Sequence, residues 1–251
     1  MKTILVIGIG AGHPDHLTLQ AVKALNRADV FFLFDKGPAK QGLGDVRREL
    51  CARLATERPW RFVEASNPER GPDGNSYTGA VRQLNADKQQ VFEDMIAQHM
   101  ADGECAGVLV WGDPALYDST LRILQAILAD GRQVFDYEVI PGITSVQALT
   151  ASHKVPLNEI GGSVQISPGR QLPARIEAGD SQVVMLDAHQ AFNRLRGQGL
   201  HIWWGAYVGS ADELLVAGPL DDVADEIVRV REQARVRHGW IMDSYLLRHP
   251  S

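Results

Sequence analysis

Thr3-Ile4-Leu5-Val6-Ile7-Gly8-Ile9-Gly10-Ala11-Gly12-His13-Pro14 is an apolar run that ends in a glycine corner. The run from Thr3 to Ile9 reads as a buried first strand. Its glycines carry no side chain to obstruct a close backbone approach, and Pro14 suits the first position of a helix. The same arrangement recurs along the chain. Val30–Phe34 runs into Asp35-Lys36-Gly37, and Val108–Trp111 runs into Gly112-Asp113-Pro114. Tyr137–Ile140 runs into Pro141-Gly142-Ile143-Thr144-Ser145. If these runs are parallel strands, all the corners share one rim of one sheet. An open α/β sheet binds its ligand on that rim, outside the carboxyl ends of its strands.

Helical patterns fill the intervals. Leu19, Val22 and Leu25 fall at helical spacing after Pro14, and Val46, Leu50 and Leu54 mark a second helix that carries Arg47, Arg48 and Arg53. Arg61–Ala65 reads as a third strand. Residues 66–79 are rich in Pro, Gly and charge and read as a long loop. Val81, Leu84, Val91, Met95 and Met100 belong to one or two helices stopped by Gly103. Ser119 is placed to cap a helix through Leu121, Leu124 and Leu128, which Gly131 ends. Strands that alternate with helices in this way predict a mostly parallel sheet. Pro156, Gly161 and Gly162 mark a change of character, giving domains over 1–150 and 151–251. The second holds strand candidates at Ser163–Ser167, Val183–Asp187, His201–Tyr207, Glu213–Ala217 and Trp240–Leu247, with a helix from Asp221 to about His238.

Composition narrows the function classes. Of 251 residues, 45% are hydrophobic, enough for a sizeable core, and the net charge of -6 argues against bulk attraction to nucleic acid or anionic lipid. Cys51 and Cys105 form no metal-spaced pair, and such sparse use fits a reducing, cytoplasmic setting. No apolar stretch approaches the roughly 20 residues of a membrane span. Ile4–Ile9 is too short for a signal peptide and runs directly into Pro14, Asp15 and His16.

Each corner admits more than one reading. The first nearly fits a dinucleotide fingerprint, with Asp35 where a ribose-binding carboxylate belongs. His13 stands where the third glycine of that pattern would fall, which weakens a phosphate cradle and leaves a plain strand-to-helix turn open. At the third corner, Asp113 is placed to face a ligand hydroxyl or ammonium, or else to cap a helix. Thr144 and Ser145 likewise offer hydroxyls at a helix start, which is more often a cap. His13 and His16 lack the further ligands that a metal site requires.

Together these motifs resemble the tetrapyrrole (precorrin) methylases. The family's opening Gly-x-Gly-Pro-Gly-Asp-Pro pattern matches Gly8–Pro14, with Ala11 and His13 as departures. Its Gly-Asp-Pro-x-x-Tyr matches Gly112, Asp113, Pro114 and Tyr117. Its Pro-Gly corner matches Pro141–Ser145, and its late Gly, Glu, Gly pattern matches Gly209, Glu213 and Gly218. The resemblance implies an α/β chain of two domains, a mostly parallel five-stranded sheet followed by a mixed sheet, with the active site in a cleft between them. It implies S-adenosylmethionine as donor, S-adenosylhomocysteine as product, no metal and a homodimer. Gly112, Asp113, Leu116, Thr144 and Ser145 are then expected at the donor. Leu186 is expected to pack on it, with ordinary core as the alternative, and Tyr207 or Gly209 to close the pocket.

Further segments resemble one branch of that family. They are Phe31–Gly37, Arg47–Cys51, Trp111–Thr120 and Gly239–Leu247. That likeness implies methylation of precorrin-5 at ring carbon C1 with loss of an acetyl group as acetate. Methyl transfer to an electron-rich carbon needs alignment more than a strong base. Deacetylation needs water, so a general base and an oxyanion donor belong nearby. Asp35 on the ligand rim is the expected base or positioning group, with Tyr117, His13 and Asp118 as further candidates. Gly10 and His13 are expected at the substrate. Arg47, Arg48 and Arg170 are expected to meet the substrate's carboxylates, although arginines on a helix more often form a solvated face. Another tetrapyrrole methylase, a dinucleotide-dependent oxidoreductase and a non-catalytic pigment carrier are the competing readings.

Overall fold

The computed structural model describes residues 1–35, 41–68 and 77–250. These divide into two compact units. One comprises Met1–Gly10 with Pro14–Ile143, and the other Ala11–His13 with Thr144–Ser251. The second unit therefore begins before the boundary read from the sequence at 150 and 151. Thr144 caps helix α5 (Ser145–His153), which packs on the strands of the second unit.

The first unit is a parallel sheet in the order β3-β2-β4-β1-β5. Its strands are β1 (Lys2–Gly8), β2 (Val30–Asp35), β3 (Arg61–Ser66), β4 (Cys105–Val110) and β5 (Phe135–Ile140). Side chains alternate between two cores, as strand geometry requires. On one face Ile4, Val6, Phe32 and Val108 meet α3 (Tyr77–His99) and α4 (Thr120–Asp130) through Phe92, Ile96, Ile123 and Leu124. On the other, Leu5, Ile7, Phe31 and Leu109 meet α1 (Leu19–Leu25) and α2 (Gln41–Leu54) through Ala21, Leu25, Leu50 and Cys51. Each of the valine, leucine, isoleucine and phenylalanine side chains contributes about 1.5–3 kcal/mol on full burial. Burial also pushes the Cys51 thiol up to about 12, so it behaves as an inert core residue.

The helix starts depart from the sequence reading in two places. Pro14 opens a short 3-10 turn, Pro14–His16, not α1. The cap of α1 is Thr18, whose hydroxyl accepts from the Ala21 N–H at 3.0 Å. Ser119 sits at the start of α4 without a side-chain capping bond. The neighbouring Asp118 does that work, with Oδ1 accepting from the Thr120 N–H at 2.7 Å. A carboxylate is the stronger acceptor for a helix-start N–H. Gly131 does end α4, in the left-handed region at φ +68°.

The connections make β2 and β4 the place where the sheet divides. β2 leaves through α2 toward β3, and β4 leaves through α4 toward β5, on opposite faces. Their ladder runs only from Val30↔Ala106 to Phe32↔Val108, although β2 continues to Asp35 and β4 to Val110.

The second unit is a mixed sheet in the order β6-β7-β10-β8-β9. Its strands are β6 (Val164–Pro168), β7 (Ser181–Met185), β8 (His201–Ala206), β9 (Leu214–Pro219) and β10 (Asp243–Arg248). Only β6 and β7 run parallel. Helix α6 (Leu220–His238) packs Ala224, Ile227 and Ala234 against Phe192, Trp204 and Tyr245. No helix among the described residues is long and apolar enough to cross a membrane.

Candidate functional site

At the carboxyl rim of the first unit three backbone segments come into direct contact. Gly10 and Gly112 form an antiparallel bridge, with the Gly112 N–H donating to the Gly10 carbonyl at 2.8 Å. A Cβ at Gly142 would lie 2.1 Å from the Gly112 carbonyl oxygen, and one at Gly8 would lie 2.7 Å from the Gly142 nitrogen. Only glycine permits this approach. Asp113 locks it: Oδ2 accepts from the Gly142 N–H at 2.9 Å and Oδ1 from the Ala115 N–H at 2.8 Å. The aspartate thus joins the corner after β4 to the corner after β5. Each of its oxygens retains a second lone pair for a ligand donor.

Backbone strain marks other expected site residues. Among the described residues, five that are not glycine have positive φ, and Tyr117, Leu186 and Tyr207 are three of them, at +53°, +52° and +50°. Such outliers cost on the order of 1–3 kcal/mol and concentrate at functional sites. Tyr117 is exposed and follows Leu116, whose N–H bonds the Asp113 carbonyl at 3.2 Å. Leu186 is 61% exposed, which removes the reading of it as ordinary core. Tyr207 differs from expectation. Its ring is buried and its hydroxyl donates to the Trp240 carbonyl at 2.6 Å. Burial pushes that phenol up to about 12. The side chain is a strut within the second unit and the N–H bonds the Met242 carbonyl at 2.9 Å, so only the carbonyl, which also accepts from the Ser210 N–H, keeps capacity for a ligand.

The remaining residues of the second unit hold the turns that carry Leu186 and Gly209. Asp187 is buried. Its Oδ2 accepts from Tyr245 Oη at 2.7 Å and from the Ala191 N–H at 2.6 Å, and its Oδ1 from the His189 N–H at 3.0 Å. Arg231 ties this corner to β10, donating from Nη2 to the Asp187 carbonyl and from Nε to Asp243 Oδ2, each at 2.9 Å. Burial raises the Asp243 carboxyl above its ordinary range, opposed by the Arg231 charge. Gly209, at φ +80°, donates to Glu213 Oε2 at 2.7 Å, and the same oxygen accepts from Ser152 at 2.9 Å. Thr144 forms a full capping box with Gln147, so its hydroxyl serves the helix start, and Ser145 is the first residue of α5.

Where β2 and β4 part, the first unit contains a cavity of about 80 Å³. Arg47 from α2, Lys88 from α3, Asp118 before α4 and Asn67 after β3 line it, beside Phe34, Phe92 and Thr120. Arg47 donates from Nε to the Leu109 carbonyl at 3.1 Å, and its guanidinium lies 5.9 Å from the Trp111 ring centre. Burial lowers the pKa of both Arg47 and Lys88, and the Asp118 charge opposes it in each case. Arg48 does not line the cavity. It pairs with Glu64 at 2.8 Å on the surface, as a solvated helix face does. His13 and Arg170 are exposed. Asp35 ends β2 opposite Ser66, and its side chain lies outside the described residues, as do 69–76 of the long loop.

Sequence reading missed Lys88 and Asn67, and the Asp187–Arg231–Asp243 cluster. Residues 47, 67, 88 and 118 meet only because of the strand order, which no local spacing encodes.

Comparison with known proteins adds an independent line. Residues 3–224 match the family model of the tetrapyrrole (corrin/porphyrin) methylases. The chain is 47% identical over 249 residues to a precorrin-6A synthase [deacetylating] of Sinorhizobium sp., covering 99% of this chain and 95% of that protein. A crystal structure from Corynebacterium diphtheriae, described as a cobalamin synthesis related protein (CobF), superimposes with a TM-score of 0.84 at 35% identity, over 100% of both chains. The cobalt precorrin-4 methyltransferase CbiF shares the fold at a TM-score of 0.66 and 16% identity, over 98% of this chain and 94% of that one.

Proposed function

This chain belongs to the tetrapyrrole (corrin/porphyrin) methylases, which are S-adenosylmethionine-dependent enzymes, and from that premise we propose that it converts precorrin-5 to precorrin-6A in cobalamin biosynthesis. The reaction methylates C1 of the macrocycle and releases the acetyl group as acetate. The observation that carries this reading is the 47% identity over nearly the full length of both chains to a deacetylating synthase. Family membership removes the dinucleotide-dependent oxidoreductase, a reading that His13 already weakened.

In the first unit we assign Gly112, Asp113 and Leu116 to the donor. In the second we assign Thr144, Ser145, Leu186, Gly209 and the backbone at Tyr207. The sulfonium donor has no phosphates, so the incomplete phosphate fingerprint of the first corner is no obstacle. Asp113 holds the corner through two backbone N–H groups and keeps acceptor capacity for a donor hydroxyl or ammonium. Leu186, an exposed apolar side chain on strained backbone, is placed as a contact surface rather than as packing. Gly10, His13 and Arg47 are assigned to the tetrapyrrole, the arginine because a buried guanidinium suits a carboxylate.

The working form we expect is a homodimer in the cytoplasm, which light scattering on the purified chain and cell fractionation check. The reaction itself is tested by incubating the chain with precorrin-5 and S-adenosylmethionine and following both products. Methyl gain together with acetate release supports the proposal. Methylation of a different precorrin with no acetate formed would place the chain elsewhere in the family.

A further inference from the structure

The geometry points to a distinct acyl subsite within the first unit, in the crevice between the diverging ends of β2 and β4. It takes the two-carbon acyl group of the substrate and holds the carboxylate released from it. The inference rests on the deacetylating reading for its chemistry and on the crevice for its place.

Four observations carry it. The crevice lies at the switch point of the sheet, where adjacent strands send their helices to opposite faces and where open α/β sheets receive ligands. Its volume of about 80 Å³ exceeds several-fold the roughly 10–15 Å³ that one water needs on the same measure, so it has room for an acetyl-sized group. Its lining is split, with Phe34 and Phe92 to accept a methyl, Arg47, Lys88 and Asn67 to donate to acyl oxygens, and Asp118 to accept from water. Lys88, finally, is held on its helix where burial lowers its pKa, and it makes no hydrogen bond or ion pair among the described residues. A half-buried ammonium that the Asp118 charge offsets only in part is costly, and a carboxylate or an oxyanion relieves that cost.

The chemistry balances with water as the co-reactant. Asp118 keeps Oδ2 available, since Oδ1 is committed to the Thr120 N–H. That carboxylate takes a proton from water as the water oxygen bonds to the acyl carbonyl carbon. Lys88 and Arg47 stabilise the oxyanion that forms. The carbon–carbon bond to the ring then breaks, its electron pair returns to the macrocycle, and the acyl group departs as acetate. The proton on Asp118 and the one from the collapsing hydroxyl pass to solvent. The electron pair left on the ring carbon accepts the methyl of the sulfonium donor. Deacylation thus supplies the nucleophile for methylation.

The test uses the full chain and two variants, Lys88→Met and Asp118→Asn, each first checked for unchanged melting and unchanged binding of S-adenosylhomocysteine. With precorrin-5, acetate release is expected to fall about 100- to 1,000-fold in Lys88→Met, the cost of removing one oxyanion donor. Asp118→Asn is expected to fall by a similar factor. Wild-type rates in both variants, with the wild type active, overturn the subsite and leave the assigned reaction standing. If the wild type does not turn over precorrin-5, the assigned reaction fails instead. Titration with carbon-13 acetate, followed by NMR, then decides the subsite alone. Saturable binding by the wild type that is lost in Lys88→Met supports it, and binding unaffected by the substitution overturns it.

Discussion

Arg231 and Lys88 are cations on helices that face aspartates, one in each unit, and their surroundings differ. Arg231 bonds Asp243 and the Asp187 carbonyl at 2.9 Å, and Trp204 and Tyr245 complete the same cluster. Its charges are spent on one another and on the Asp187 carbonyl. Lys88 lines a cavity with Arg47 and Asp118 and makes no close polar bond among the described residues. A buried polar network that is fully satisfied is scaffold, and one built around a space is poised for a partner. The second unit uses its charges to fix the corner bearing Leu186. The first unit fixes its corners with glycine backbones and Asp113, and Lys88 and Asp118 line its cavity instead.

The largest effect should come from breaking the satisfied cluster. Arg231→Met removes the cation and strands Asp243 inside the second unit. A loss of about 3–5 kcal/mol is expected in chemical denaturation. A loss under 1 kcal/mol would equate this cluster with an ordinary surface pair. Lys88→Met is expected to leave stability within about 1 kcal/mol of wild type, because it loses no hydrogen bond among the described residues and the desolvated charge that it removes offsets the lost attraction to Asp118. The contrast sharpens if that same variant loses acetate release. It breaks if the variant unfolds as readily as Arg231→Met.

Smaller effects probe the edges of the comparison. Tyr245→Phe removes one donor from Asp187, which keeps its backbone partners, so about 1–2 kcal/mol is expected. Calorimetry at neutral pH reads it directly. The smallest effect is a pH dependence in the second unit. Burial holds His153 below its ordinary value, with Nε2 3.0 Å from the Trp204 carbonyl, and burial beside Arg248 does the same for His201. The folded state disfavours their protonation, while the unfolded chain takes up protons near pH 6.5. Their stabilising contribution is therefore complete above about pH 6.5 and declines as pH falls toward the lower folded values. Melting between about pH 7.5 and 5.5 should fall in the wild type and fall less in His153→Gln. An identical slope in both would remove His153 from the account.

The sequence made the strand corners legible because they depend on local rules. A continuous apolar run followed by glycine announces Gly8, Gly112 and Gly142, and the structure shows why no other residue fits at Gly142. The αL stop at Gly131 was legible for the same reason. Capping was less so. Pro14 and Ser119 carry acceptable start signals, but Thr18 and Asp118 make the actual bonds. The crevice was illegible, since Lys88 sits among Asp87, Gln89 and Gln90 and looks like a solvated face. Arg231 was hidden in the same way, between Arg229 and Glu232 on a largely polar helix. In both cases the topology, not the neighbouring sequence, decides which charge is taken out of water.

The most direct measurement is the stoichiometry of a single turnover with precorrin-5 and carbon-13 methyl-labelled S-adenosylmethionine, following label in the corrinoid and acetate in solution. One acetate is expected for each methyl transferred, formed no later than the methylated product. Methyl transfer without acetate, or acetate trailing behind a methylated and still acetylated intermediate, would contradict it.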